Sequence, residues 1–136
     1  MIGVASCAVC LSALACGSGR STAPLVSASA AKRPFLHRGF TIGCPNLEPQ
    51  PEGLVHSLGI KASGMSSCPP NLGGLDIYRD SATARKACAP STKYFCASPA
   101  YRVRNVMLYI DANDSAVIRR RLLQAFRVLG VPTRVA

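Results

Sequence analysis

From Ile118 onward, apolar side chains return at Leu122, Ala125, Phe126 and Leu129, and the positions between them include Arg119, Arg120, Arg121, Gln124 and Arg127. At 100° per residue the first set gathers on about one third of a helix circumference and the arginines fill the other side. An amphipathic helix with one packed face is the reading this pattern imposes. Just upstream, Val106-Met107-Leu108-Tyr109-Ile110 is an unbroken apolar run. That fits a strand buried on both faces, continued back through Tyr101 and Val103. Between strand and helix, Asp111-Ala112-Asn113-Asp114 offers turn and N-cap chemistry. Gly130 stands where a left-handed C′ residue belongs. Val131 and Thr133 to Val135 read as a short strand, and Pro132 puts it at a sheet edge. The strand–helix–strand unit spans about 101–135 and fits a right-handed parallel crossover. Two strands do not hold alone, so the sheet needs the Tyr78 and Phe95 regions or another chain. The fold class is α/β or α+β, with a small α/β domain over 75–136 and a largely irregular or disordered N-terminal half.

Upstream of that domain, proline and glycine interrupt the chain. Pro45, Pro49 and Pro51 remove backbone donors and fix φ, and Cys68-Pro69-Pro70-Asn71 with Gly73-Gly74 marks a loop. Residues 44–74 therefore read as irregular, with Leu54, Val55, Leu58 and Ile60 able to form one short turn or strand. Leu75-Asp76-Ile77-Tyr78 reads as a short strand. Asp80 to Ala89 reads as a helix capped by Asp80 or Ser81 and stopped by Pro90.

Residues 1–43 read as a targeting leader or a disordered segment. Ile2 to Ala15 is apolar or small apart from Ser6 and Ser12. At 1.5 Å per residue it reaches about 21 Å, short of the roughly 30 Å hydrocarbon core, so a transmembrane helix is not expected. The length suits a secretory signal peptide, and Ala13-Leu14-Ala15 puts small residues where a signal peptidase cuts. Ala15-Cys16-Gly17-Ser18 loosely resembles a bacterial lipoprotein site, whose cysteine carries lipid. From Gly17 to Gly43 the chain is rich in Ser, Ala and Thr, carries Arg20, Lys32, Arg33 and Arg38, and has no acid. That composition is typical of mitochondrial and plastid transit peptides. An apolar start followed by such a stretch resembles the two-part leaders of secondary plastids. Organelle import is the first expectation for localisation, and secretion is the alternative.

The charge is lopsided: Lys and Arg number 16 against 6 acids, a net charge of +10. The excess sits at the two ends. Such a chain attracts polyanions, RNA or anionic lipid, through Coulomb forces. Arg119, Arg120, Arg121 and Arg127 are the candidate anion-binding residues, since guanidinium grips phosphate in a fork. No aromatic residue is interleaved with them, so base stacking is not indicated.

Other chemistry is sparse. Asp111, directly after a buried strand, with Asp114 offers carboxylate oxygens to a hard cation such as Mg²⁺. Leu108-Tyr109-Ile110-Asp111 resembles the first strand of PIN-like nucleases over about ten residues, and that resemblance implies a metal-binding aspartate. Those enzymes need further acids on later strands, and capping explains both aspartates without a metal. Cys7 and Cys10 have redox-motif spacing but lie in the apolar run. Cys44, Cys68, Cys88 and Cys96 have no close pair, so a zinc knuckle is not expected. In an oxidising compartment these four could form two disulfides in three possible connectivities; in a reducing one they are free thiols. His37 and His56 are isolated. With no glycine-rich phosphate loop, no Ser/His/Asp arrangement and no paired catalytic carboxylates, neither catalysis nor a cofactor is expected. The function expected is that of a small, basic, non-enzymatic interaction or structural subunit of an organellar assembly, one that could contain RNA. The alternatives are a secreted or lipid-anchored cysteine-rich protein, a metal-dependent nucleotide-class enzyme using Asp111, and an orphan reading frame without a defined function.

Overall fold

In the computed structural model the residues described are 23–45, 51–65, 71–89 and 99–136. The apolar run at Ile2–Ala15, Cys68, Cys96 and the Phe95 region lie outside them. Among the described residues the strands are β1 (Thr41–Pro45), β2 (Leu54–Lys61), β3 (Gly73–Tyr78), β4 (Ala100–Val103), β5 (Val106–Ile110) and β6 (Thr133–Arg134). The helices are α1 (Ala28–His37), α2 (Ser81–Lys86) and α3 (Ala116–Arg127). The strands form one sheet in the order β1-β2-β3-β5-β4-β6, and every neighbouring pair is antiparallel. This is an α+β fold.

The C-terminal unit follows its sequence pattern. All five residues of β5 are buried. Leu122, Ala125, Phe126 and Leu129 are buried and Ile118 packs beside them, while the α3 arginines point outward. Both β5 and β6 run antiparallel to β4. They are therefore parallel to each other, and β5–α3–β6 is a crossover that spans β4, with β6 at the sheet edge.

Period-two alternation divides the residues of the sheet between two layers. Leu75 and Ile77 of β3, with Val106, Leu108 and Ile110 of β5, pack under α1 and α3. Tyr78, Met107, Tyr109 and Ala100 pack under α2 through Ala84 and Ala87. The layer under α1 and α3 is the larger core and also takes Phe35, Phe40, Ile60 and Phe126.

Residues 1–43 are not disordered throughout, because the chain is folded from at least Val26 onward. The Val26 N–H donates to Asn105 Oδ1 at 2.8 Å, and Asn105 Nδ2 donates to the Val26 and Tyr78 carbonyls. Ser27 then caps α1, its Oγ accepting from Ala30 N–H at 3.1 Å. The face formed by Ala31, Pro34 and Phe35 is buried, so burial offsets an internal proline that would break an isolated helix. The 44–74 segment is not irregular throughout. β2 runs eight residues between its prolines and pairs with β1 and β3. The domain therefore does not begin at residue 75. Tyr101 to Ile110 is a hairpin rather than one strand: Val103 faces Val106 across Arg104-Asn105, and Arg104 holds φ +52. Asp111 and Asp114 do not cap α3. Ser115 does, its Oγ accepting from Ile118 N–H, while Asp111 Oδ1 accepts from Asn113 N–H within the turn. Gly130 comes two residues after the C-cap Val128, at φ +148, where a Cβ would lie 2.9 Å from Val103 Cγ1. Close approach to the hairpin selects glycine there.

Candidate functional site

The four arginines singled out in the sequence are all exposed on α3, and the fold gives them company. α1 packs beside α3 and brings Lys32, Arg33 and its C-cap Arg38 into the same layer. The two helices and this cap thus hold seven cations and no acid. Among the described residues none of the seven forms an ion pair; the pairs found join Arg79 to Glu52 and Asp80, elsewhere on the fold. The seven are not equivalent. Arg121 donates to the Arg38 carbonyl at 2.7 Å, and its guanidinium lies 5.0 Å from the centre of the Phe40 ring. It fastens the exit of α1 onto α3. Arg119 lies within electrostatic reach of Asp114, whose carboxyl is pushed up by burial and then by Asp111, and is held back by Arg119. Arg38 folds back on α1, its guanidinium donating to the Pro34 carbonyl at 3.5 Å. Arg33, Arg120 and Arg127 are exposed and Lys32 half-buried, and among the described residues none of these four has an acidic partner. The α3 part of this set was legible in the sequence. The α1 part was missed because an acid-free Ser/Ala/Arg stretch also describes a transit peptide.

The opposite side of the sheet has different chemistry. The Ser57 hydroxyl donates to Asp76 Oδ1 at 2.6 Å across the β2–β3 pair. The Tyr109 hydroxyl neighbours both Asp76 and Tyr78, yet among the described residues the Tyr78 and Tyr109 hydroxyls and Arg102 Nε are buried without a hydrogen-bond partner. Burial pushes Asp76 above the usual carboxylate range, against the pull of Ser57 and Tyr109. It also pushes the Tyr78 phenol up to about 12 and Tyr109 higher still. These phenols are neutral at physiological pH. The sequence signal for this cluster was the alternation in Leu75-Asp76-Ile77-Tyr78, which sends Asp76 and Tyr78 to one face.

A cavity of about 300 Å³ opens beside it, lined by Asn71, Gly73, Gly74, Tyr109, Asp111 and their neighbours. Asp111 is exposed at its rim. Asp111 and Asp114 gain no third ligand: among the described residues no group of three His, Cys, Asp or Glu side chains could hold a metal ion. Cys44 and Cys88 are each disulfide-bonded. No helix among the described residues is long and apolar enough to cross a membrane. Compared with protein-family models, with curated proteins and with solved structures, the chain matches none.

Proposed function

We propose that this is a basic interaction protein whose α1/α3 layer docks on a polyanion. The observation that carries this is the segregation of seven cations, none ion-paired among the described residues, onto two helices without an acid. Elsewhere among the described residues, Glu52, Asp76, Asp80, Asp111 and Asp114 temper the basic side chains. A one-sided field of this kind steers and holds anionic partners through counterion release. An organellar assembly containing RNA is one setting for such a surface.

A second reading, a secreted or lipid-anchored cysteine-rich protein, is favoured by the disulfides at Cys44 and Cys88. Disulfides persist in oxidising compartments, which weighs against a compartment whose thiols are kept reduced. The N-terminus of the mature protein separates the two settings. A start near Cys16 supports secretion, and one between Arg20 and Ala23 supports organelle import with the fold left whole.

The polyanion reading is tested by binding the full chain to heparin across a salt series. A flat contact using about three to five cations predicts that log affinity falls with log salt at a slope of roughly −2 to −4. Changing Arg120 and Arg127 to Gln should flatten the slope by about one to two. No binding at low salt, or binding insensitive to salt, would end this reading.

A further inference from the structure

We infer that the polyanion met by the α1/α3 layer is the surface of an anionic lipid bilayer; this rests on the proposed function and names its partner. The added observation is where the exposed apolar side chains sit. Among the described residues seven large hydrophobics are exposed, and five of them, Leu25, Leu36, Val117, Val128 and Val131, lie on α1 and α3 or in the segments that flank them. These five are between 49 % and 91 % exposed.

Their spacing mixes them with the cations. On α3, the 100° step places Val117 and Val128 between Gln124 and Arg121, with Arg120 and Arg127 adjoining. On α1 it places Leu36 between Lys32 and Arg33, opposite the buried Ala31, Pro34 and Phe35. Leu25 precedes α1, and Val128 and Val131 follow α3. The Arg104 guanidinium donates to the Pro24 and Leu129 carbonyls and ties the two segments together.

A layer that alternates aliphatic tips with Lys and Arg meets both halves of a lipid interface. Leu and Val enter the headgroup–acyl boundary while the cations meet phosphate. Nucleic acid offers no counterpart to the aliphatics. A single strand would call for exposed aromatics to stack on its bases, and the aromatic residues of this layer, Phe35, Phe40 and Phe126, are buried.

The test uses the full chain and sedimentation with vesicles of phosphatidylcholine alone or with about one third phosphatidylserine, alongside single-stranded and duplex RNA. Binding to the anionic vesicles alone is expected. Each of Arg120→Gln and Arg127→Gln should weaken it about five-fold, and Val117→Ser with Val128→Ser should weaken it about ten-fold together. The same serine pair should leave heparin binding and the circular dichroism spectrum unchanged. Equal binding to neutral vesicles would place the contact outside this layer and overturn the inference. So would vesicle binding that ignores the serine pair. Binding to heparin or RNA without binding to vesicles would overturn the lipid assignment and leave the polyanion reading standing. Failure with heparin, RNA and vesicles alike would remove both.

Discussion

The two faces of the sheet are made from the same strands and yet solve different problems. Under α1 and α3, buried Leu, Ile, Val and Phe side chains meet with no titratable group among them. Under α2, smaller residues and Met107 surround Asp76, Tyr78, Tyr109 and Arg102, with three buried polar atoms left unpartnered among the described residues. Each unpartnered buried group costs about 1–3 kcal/mol. The α1/α3 face therefore supplies the stability, and its outer surface is free to concentrate charge. The α2 face stores unsatisfied hydrogen bonding and consumes part of that stability.

The sharpest way to break this contrast is to put a charge into the apolar side. Leu122 is fully buried on α3. Leu122→Asp should abolish the cooperative unfolding transition seen by circular dichroism, because an unpaired buried carboxylate adds to the lost apolar contacts. A protein that still unfolds cooperatively with a Tm near that of wild type would show that α3 is not part of the main core.

Next in size is Phe35→Ala on α1. Phe35 is fully buried, and its ring sits 6.4 Å from that of Phe40. The loss should be about 3–5 kcal/mol in urea unfolding. A loss below roughly 1 kcal/mol would return α1 to the status of a detachable leader. This substitution probes the part of the fold that the sequence hid best. α3 was legible because its apolar residues repeat at helical spacing over three turns, and β5 because a run of five needs burial on both sides. α1 has one large apolar anchor in its buried stripe, an internal proline and no acid, so its local signals match those of an import leader. The hairpin was hidden for a related reason. Its turn is Arg104-Asn105, without glycine, and Arg104 adopts a positive φ that its residue type disfavours. What holds that turn is long-range: Asn105 binds the Val26 backbone in both directions. The candidate site divides in the same way. The α3 charges were visible as a helical face, but the pairing of those charges with Lys32, Arg33 and Arg38 exists only once α1 is folded.

On the α2 side the informative substitution is Asp76→Asn. Burial raises the folded-state pKa of Asp76 above its unfolded value. Between those two values the folded protein holds a proton that the unfolded chain has released, so stability falls as pH rises through that window. The asparagine keeps the shape and can still accept from Ser57 while removing the charge. It should raise the neutral-pH Tm and flatten the decline of Tm above about pH 4. A lower Tm at neutral pH would mean that the ionised carboxylate stabilises the cluster, reversing the assignment.

The smallest effect is expected on the outer surface of α3. Arg120 is exposed, makes no ion pair among the described residues, and lies on the side of the helix away from the core. Arg119 and Arg121 flank it in sequence and Arg127 lies two turns on along the same side, so its charge is repelled where it stands. Arg120→Glu removes that repulsion, and at the fifth position of α3, beyond the first turn, the helix dipole adds little. Stability should stay within about ±0.5 kcal/mol of wild type, with any change in the stabilising direction. Heparin affinity, in contrast, should fall more than it does for Arg120→Gln, because the partner then meets a repulsive group. A charge that the fold does not need, but that binding loses when it is reversed, is what a docking surface predicts. If Arg120→Glu instead destabilised the protein by more than about 1 kcal/mol, the arginine would be holding α3 in place. The layer would then have to be read as a structural element whose charge is incidental.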